Sequence, residues 1–218
     1  MREAPRFFID AFVIIMETLD LVLSQVEPVQ SEVSNIRNTF ESLGLSDQLL
    51  RAIHSAGWEN PTPVQCKAIP AALLGRDLIA CAQTGTGKTG VFALTILQRM
   101  KPGRGPRALI LTPTRELAVQ VSEHFEILAK FSKCKIVRIY GGVNIDRQAK
   151  SLSDGADIVV ATPGRLLDHV RRKNVQFKGL QFLVLDEADR MLDMGFAPDI
   201  RKIHKLIPRR RQSMLYSA

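Results

Sequence analysis

The sequence predicts an α/β domain in which a parallel β-sheet is flanked by helices on both faces. With 218 residues, the chain is long enough for one large domain with a substantial core. From residue 77 onwards, short apolar runs typical of buried strands alternate with longer stretches whose apolar residues recur at helical spacing. This alternation favours a parallel sheet, because each crossover helix returns the chain to the end where the next strand begins.

Five short apolar runs are the predicted strands, and each is followed by residues typical of loops or helix starts. In chain order they are residues 77–82, 108–112, 135–140, 157–161 and 182–185. The first and the last of these runs are expected to be buried strands. After the first run, Val91, Leu94 and Leu97 recur at the spacing of an amphipathic helix.

The segment between the first predicted strand and this helix reads Ala82-Gln83-Thr84-Gly85-Thr86-Gly87-Lys88-Thr89. Glycines between a strand and a helix are typical of a phosphate-binding loop, because they let backbone N–H groups approach the phosphates closely. Lys88 supplies a charge for the β- and γ-phosphates, and the Thr89 hydroxyl is a ligand for Mg²⁺. Ala82 stands where the generic pattern has glycine. The alternative is an ordinary strand-to-helix turn that contains glycines.

An acidic pair, Asp186 and Glu187, follows the apolar run 182–185. We expect Asp186 to orient a magnesium ion, directly or through water, and Glu187 to polarise an attacking water as general base. The alternative is that these carboxylates only favour the start of the next helix. Beside the phosphate-binding loop, the pair predicts hydrolysis of a nucleoside triphosphate.

Further motifs occur in one order along the chain. They are 57–65, 113–118, 141–142, 162–165 and 216–218, in addition to the phosphate-binding loop and Asp186-Glu187-Ala188-Asp189. In these motifs, residues 40–218 resemble the N-terminal RecA-like domain of DEAD-box RNA helicases. The resemblance implies a RecA-like P-loop NTPase fold, ATP as the substrate with Mg²⁺, and Glu187, Lys88 and Asp186 as catalytic residues. The last motif resembles the family's Ser-Ala-Thr without its Thr.

Two positions upstream of the phosphate-binding loop are expected to hold the base. The amide of Gln65 can accept a hydrogen bond from adenine N6 and donate one to N7, which favours ATP over GTP. The resemblance places Phe40 against the adenine, and Trp58 is a second aromatic residue nearby. The alternative is that both aromatic residues belong to the core or anchor the surface.

Three predicted strands end in loops that are expected to lie on one rim of the sheet, where ligands of open α/β sheets bind. The resemblance assigns RNA binding to these loops, which hold Pro113, Thr114, Arg115, Gly141, Gly142, Thr162, Pro163, Gly164 and Arg165. Arginines and backbone N–H groups contact phosphates rather than base edges, so binding is expected to be independent of sequence. The alternative is a set of ordinary loops. The resemblance also links the nucleotide to the RNA through Ser217, whose hydroxyl is expected to reach the Asp189 carboxylate.

The net charge of the chain is +8, and its distribution is uneven. Residues 1–39 hold 3 basic and 6 acidic residues, a net charge of −3, which leaves +11 for residues 40–218. A basic domain suits a polyanionic partner such as RNA, although surplus lysine and arginine on a solvated surface is the alternative. The 3 cysteines have no metal-ligand spacing and fit a reducing compartment, so a cytoplasmic location is expected.

Residues 1–39 lie outside the pattern and are interpreted as an extension and linker, helical or poorly ordered. Their apolar stretch, residues 7–23, raises a membrane anchor or a targeting signal as the alternative, but Asp10, Glu17 and Asp20 interrupt it. We therefore expect no membrane association.

The family's C-terminal RecA-like lobe, which carries an arginine finger, is missing from this chain. Because such a finger contributes roughly 10³–10⁵ in rate, the fragment is expected to bind ATP, hydrolyse it very slowly and not unwind RNA. Two other functions stay open: a different P-loop enzyme, such as a DNA translocase or a small-molecule kinase, and a non-catalytic RNA clamp or docking platform gated by nucleotide.

Overall fold

A computed structural model describes residues 39–83 and 85–217. A 3₁₀ turn at Phe40–Leu43 opens the described part. Its strands are β1 Leu78–Cys81, β2 Ala108–Leu111, β3 Ile136–Ile139, β4 Ile158–Ala161, β5 Phe182–Leu185 and β6 Gln212–Ser217. Its helices are α1 Asp47–Ser55, α2 Pro63–Leu73, α3 Lys88–Arg99, α4 Arg115–Leu128, α5 Ile145–Ser153, α6 Pro163–Arg171, α7 Ala188–Asp193 and α8 Ala197–Leu206.

The strands form one six-stranded sheet in the order β1-β6-β5-β2-β4-β3, and every neighbouring pair is parallel. The predicted α/β class with a parallel sheet is therefore confirmed. One detail of the prediction is wrong: among the described strands, β1 lies at the edge of the sheet and pairs with β6 alone. Ile79 is 50 % exposed and Cys81 is also exposed, so β1 is not a fully buried strand. An apolar run alone does not reveal that a strand has a neighbour on one side only.

Side chains that alternate along the strands divide the core into two halves. Ile110, Val160 and Val184 face α1, α2, α3 and α4, whereas Leu109, Val159 and Leu183 face α5, α6, α7 and α8. The central strands are buried on both faces, as parallel sheets require. Helices therefore cover both faces of the sheet, and its carboxyl edge stays open to ligands.

Two local signals, a capping box and a proline, determine where α2 starts. The Thr62 side chain accepts a hydrogen bond from Gln65 N, and the Gln65 side chain accepts one from Thr62 N, which is a reciprocal capping box. Pro63 occupies the first helical position, where its missing N–H costs nothing. The start of α2, and with it the Gln65 side chain, is thereby fixed.

Close packing of α2 against α3 depends on Gly90, which lies within α3. A Cβ atom at this position would come within 2.5 Å of Gln65 Nε2 and 3.1 Å of the Trp58 ring. Any side chain larger than hydrogen would therefore push these two residues away. Glycine weakens a helix interior by about 1 kcal/mol relative to alanine, and here that cost permits the close approach of the two helices.

Within residues 39–83 and 85–217, no helix combines the length and the apolar character needed to cross a membrane. The apolar stretch 7–23 lies outside the described residues, and so does the rest of the predicted extension apart from Thr39. The division of the chain at residue 40 stays a prediction.

Candidate functional site

A cleft of about 510 Å³ lies at the carboxyl edge of the sheet, beside β5 and the start of α3. We call it the nucleotide cleft; its lining includes Phe40, Trp58, Gln65, Gly85, Gly87, Lys88, Thr89, Asp186 and Glu187. Residues far apart in the sequence, from the aromatic residues upstream of α2 to the acidic pair after β5, thus meet in one cavity. Lys88 and Glu187, on which the interpretation of the sequence depends, line the same cleft.

The loop between β1 and α3 has the backbone of a phosphate-binding loop in its described residues. Gly85 and Gly87 adopt positive φ values of 79° and 93°, a region that residues with a side chain rarely adopt. Ala82 N donates a hydrogen bond to Ser217 O at 3.1 Å, and the Thr86 hydroxyl donates one to Gln83 O at 2.8 Å. Thr84 lies outside the described residues.

Lys88, the first residue of α3, is buried at the base of this loop. Its Nζ donates hydrogen bonds to Ala82 O and, at 2.8 Å, to Ser217 O. The ammonium group is thus held where the β1 loop meets the end of β6. Both partners are neutral carbonyl groups, and a phosphate would be a stronger, charge-assisted acceptor for the same N–H groups.

The acidic pair combines burial with backbone strain. Burial, followed by the charge of Glu187, raises the pKa of Asp186 to about 6, although Lys88 acts in the opposite direction. Glu187 has φ 51° and ψ 53°, the left-handed region that non-glycine residues rarely enter. Such strain persists where the surrounding structure imposes it, and it clusters at active sites. The Glu187 carboxylate accepts a hydrogen bond from Arg190 Nη1 at 3.2 Å, a contact that the sequence interpretation missed.

The carboxylates of the cleft could supply only some of the ligands of a magnesium ion. Within the described ranges, no group of three His, Cys, Asp or Glu side chains is arranged to hold a metal by itself. Mg²⁺ is commonly bound by one or two carboxylates together with substrate phosphates and water. The buried Asp186 carboxylate, whose charge is disfavoured, and the Thr89 hydroxyl in the same cleft suit that mode of binding.

The residues predicted to bind the base line the nucleotide cleft, and each of them also contacts other residues of the protein. Gln65 Oε1 accepts from Thr62 N at 2.9 Å, and Nε2 donates to Gly87 O at 3.1 Å. Each group retains one further hydrogen-bonding position, because the oxygen has a second lone pair and the nitrogen a second hydrogen. Phe40 lies in the core and in the cleft lining at once, 6.1 Å from Trp58 between ring centroids.

Ser217 acts through its backbone rather than through its hydroxyl. In the described part of the chain the expected hydrogen bond from the Ser217 hydroxyl to Asp189 is not formed, and Asp189 Oδ1 is buried without a partner. Ser217 pairs with Cys81 across the parallel register of β6 and β1, and its backbone oxygen accepts from Ala82 N and Lys88. The residue therefore connects β6 to the phosphate-binding loop.

The three loops that follow β2, β3 and β4 lie beside one another, and we call them the rim (residues 112–115, 140–143 and 162–165). The Arg115 guanidinium lies 5.2 Å from the centroid of the Tyr140 ring. A Cβ atom built on Gly142 would lie 3.5 Å from Arg115 Nη1, so this arginine covers the second glycine as well. Arg165 Nη1 donates to Val143 O at 2.9 Å. The structure thus brings both arginines onto the glycine loop that follows β3.

The remaining predicted rim residues shape this surface. Thr114 caps α4 through its side chain, which accepts from Leu117 N at 3.3 Å. Thr162 precedes α6 and Pro163 takes its first position, where Pro163 is buried. Gly141 is exposed, and a Cβ atom on Gly141 or Gly164 would meet nothing within 4 Å. Space for a ligand is therefore open above the two glycines.

A set of polar residues directly behind the rim was not predicted from the sequence: Gln148, His169 and Asn174. Gln148 and His169 are buried, although the helices that carry them also bear exposed charged residues such as Lys150 and Arg171. No local pattern separates a buried histidine or glutamine on an amphipathic helix from a solvent-exposed one. Only the packing of α5 beside α6 and β3 shows that they are enclosed.

Comparison with known proteins agrees with this architecture. A family model described as DEAD/DEAH box helicase matches residues 62–218. The ATP-dependent rRNA helicase rrp-3 of Neurospora crassa is 46 % identical over 201 residues, which are 91 % of this chain and 39 % of that protein. The DEAD-box ATP-dependent RNA helicase RhpA of Helicobacter pylori is 45 % identical over 180 residues, 83 % of this chain and 37 % of the relative. This chain thus spans less than half the length of these curated relatives.

A crystal structure of a DEAD box protein from Methanococcus jannaschii superimposes with a TM-score of 0.78 at 44 % sequence identity. The match covers 83 % of this chain and 50 % of the archaeal chain. Family model, relatives and structure agree, and the chain belongs to the DEAD/DEAH box helicase family.

Proposed function

We propose that residues 40–218 form the ATP- and RNA-binding lobe of an ATP-dependent RNA helicase that remodels RNA duplexes or ribonucleoprotein. One observation carries the proposal: Lys88 and Glu187 line the same nucleotide cleft, on the sheet edge that also bears the rim. The proposed sites for the triphosphate and for RNA thus lie side by side at one edge of the same sheet.

In the proposed ATP complex, Lys88 exchanges its two carbonyl partners for the β- and γ-phosphates. Backbone N–H groups at the start of α3 point toward the same phosphates, and the helix dipole favours their negative charge. Glu187 accepts the proton of the attacking water. Asp186 and Thr89 would hold Mg²⁺, which supplies charge neutralisation at the phosphate oxygens.

Recognition of the base rests on the Gln65 amide. Its contacts with Thr62 N and Gly87 O fix the orientation of oxygen and nitrogen. The free lone pair and the free hydrogen then match adenine N6–H and N7, whereas guanine presents an oxygen in place of the N6 amino group. ATP is therefore favoured over GTP, with Phe40 and Trp58 beside the base.

On the rim, Arg115 and Arg165 contact phosphates of a single strand, and the glycines after β3 let its backbone approach closely. Arginines and backbone N–H groups suit phosphate contacts, which carry no sequence information, so the proposed binding is independent of sequence. As a separate polypeptide, the lobe binds ATP, turns it over slowly and does not unwind RNA. A cytoplasmic location is supported by Cys66, Cys81 and Cys134, which are free thiols.

The experiment is a titration of the purified chain with a fluorescent ATP analogue in the presence of Mg²⁺, followed by competition with ATP and GTP. Lys88→Ala is expected to weaken binding by about tenfold to hundredfold, because two or more charge-assisted hydrogen bonds are lost. Lys67→Ala on the exposed side of α2 is the matched control and should bind like the wild type.

Binding of single-stranded RNA and DNA oligomers, each with and without ATP, completes the test. Preference for RNA that increases with ATP supports the proposal. Equal binding of DNA would instead favour a DNA translocase, and a folded chain that binds no ATP would refute the proposal.

A further inference from the structure

Behind the rim, polar side chains form a continuous hydrogen-bonded chain in an otherwise apolar half of the core. Asn174 Nδ2 lies 3.1 Å from His169 Nδ1, and His169 Nε2 lies 3.1 Å from Gln148 Oε1. Gln148 Nε2 donates to Tyr140 O at 3.0 Å. We call Gln148, His169 and Asn174 the polar relay. Buried polar groups are costly unless paired, so a fully paired relay fixes the geometry of whatever it contacts.

One backbone carbonyl fixes the orientation of the Gln148 amide and the proton that faces it. Tyr140 O can only accept, so Gln148 must face it with Nε2 and turn Oε1 toward His169. His169 Nε2 must then carry a proton, and Nδ1 accepts from Asn174 Nδ2. With the Asn174 amide oriented so that Nδ2 faces Nδ1, His169 is neutral and carries its proton on Nε2. Its pKa is lowered, first by burial and then by Arg165 and Arg172, with Asp168 opposing them, which agrees with the neutral form.

The relay ends at the rim. Tyr140, whose carbonyl it holds, immediately precedes Gly141 and Gly142. Arg165 Nη1 lies 3.5 Å from Gln148 Oε1 while it donates to Val143 O, so the same amide contacts the loop after β4. The Tyr140 ring packs against Arg115, which belongs to the loop after β2. All three loops of the rim thus meet around the Gln148 end of the relay.

We propose that His169 is a positioning residue for RNA binding, which acts through Gln148 to hold the glycine loop and Arg165 in the arrangement that grips a sugar-phosphate chain. The inference rests on the proposed function of the rim. His169 is enclosed in the protein and does not contact the RNA itself. Its role is to keep Gln148 oriented, because without the Nε2–H donor the amide loses the partner that fixes its oxygen.

The test compares two substitutions of His169. His169→Leu removes both hydrogen bonds and keeps an apolar side chain, whereas His169→Gln retains a donor at the position of Nε2. Affinity for a fluorescent single-stranded oligouridylate is expected to fall about tenfold in His169→Leu, the equivalent of one or two hydrogen bonds. His169→Gln should recover most of that loss. Affinity for the ATP analogue should be unchanged in both.

His54→Leu is the control, because His54 is exposed on α1 and pairs with Glu41, far along the chain from the rim. It should leave RNA affinity unchanged. If His169→Leu lowers the melting temperature but binds RNA like the wild type below that temperature, His169 is only structural and the inference is wrong.

Amide NMR signals of Gly141 and Gly142 give a readout that does not need RNA. They should shift or broaden in His169→Leu and stay near their wild-type positions in His169→Gln. If His169→Leu does not fold, Asn174→Ala, which removes only the donor to Nδ1, should move the same signals and weaken RNA binding by about twofold to threefold. Unmoved glycine signals overturn the inference, whereas a wild-type chain that binds no RNA overturns the proposed function alone.

Discussion

The nucleotide cleft and the rim lie on the same edge of one sheet, but their polar groups differ. Some of those at the cleft are in unfavourable surroundings, whereas those behind the rim are hydrogen-bonded to one another. In the cleft, Asp186 is buried with a raised pKa and Glu187 has a left-handed backbone. On α7, which follows this acidic pair, Asp189 Oδ1 is buried without a partner. Behind the rim, each member of the polar relay is paired, and the last amide holds a backbone carbonyl. The backbone at Glu187 in the cleft is strained, whereas hydrogen bonds from the polar relay fix the loop of the rim that follows β3.

This difference indicates how each region meets its ligand. In the proposed ATP complex, a cation would offset the unfavourable charge of Asp186, so binding energy could be coupled to rearrangement there. A rim whose loops are already fixed would lose little conformational entropy on binding single-stranded RNA, its proposed ligand. We therefore expect substitutions of the acidic pair to separate stability from activity, and substitutions of the rim arginines to change chiefly RNA affinity.

The largest expected effect is on hydrolysis. In a polypeptide that joins this lobe to a C-terminal RecA-like lobe of the family, Glu187→Gln should reduce RNA-stimulated ATP turnover by about 10²–10⁴-fold, because the proposed general base is lost. ATP affinity should stay near that of the wild type, and Glu123→Gln on the exposed face of α4 should leave both unchanged. Turnover is measured as phosphate release. Wild-type turnover in Glu187→Gln would break the assignment of Glu187 as general base.

The next effect is on stability without ligand. Asp186→Asn is expected to stabilise the chain at pH 8 by about 2–3 kcal/mol, because the wild-type carboxyl group has its pKa raised from 3.8 to about 6. The folded wild type binds a proton more readily than the unfolded chain, so its stability improves as the pH falls through 6.

The advantage of the Asp186→Asn variant over the wild type should therefore shrink below pH 6 and vanish near pH 4, as measured by urea denaturation. Asp193→Asn, at the exposed end of α7, should show no such dependence. A destabilised Asp186→Asn variant at pH 8 would mean that the cleft holds no unfavourable charge.

Substitution of two glycines, one in the cleft and one in the rim, compares how closely the two regions are packed. Gly90→Ala should destabilise the chain by about 1–3 kcal/mol despite the better helix propensity of alanine, because its Cβ would collide with Gln65 and Trp58. Gly164→Ala has free space around its Cβ and is expected to stabilise by about 0.4–1 kcal/mol. Thermal unfolding of the two variants measures the difference; equal effects would show that the cleft is not tightly packed at Gly90.

The smallest effects are expected at the arginines of the rim. Arg115→Ala and Arg165→Ala should each weaken single-stranded RNA binding by about threefold to tenfold and reduce the salt dependence by about one phosphate contact. Arg165→Ala should be the weaker binder, because Arg165 also holds Val143 O. Arg171→Ala is the control, since Arg171 is exposed and pairs with Asp168. Unchanged salt dependence would remove both arginines from the interface.

Local patterns in the sequence predicted much of this molecule. The run 108–112 became β2, which ends one residue earlier, and the run 182–185 became β5 with the same bounds. Lys88 and Glu187 belong to contiguous motifs, and the parallel sheet brings those motifs to one edge. The edge position of β1 and the polar relay were not predicted, because strand order and contacts between α5 and α6 arise only from tertiary packing.

The pairing of β1 with β6 has a consequence for how the chain acquires its activity. Lys88 contacts Ser217 O across 129 positions of sequence, and β1 pairs with β6, so the ligand-free nucleotide cleft takes this form only after the last described strand has docked. During synthesis on the ribosome, the phosphate-binding loop emerges long before its partner, and such distant pairings form slowly. A nucleotide that binds the finished fold alone, as proposed, would stabilise it by mass action and so favour completion of folding.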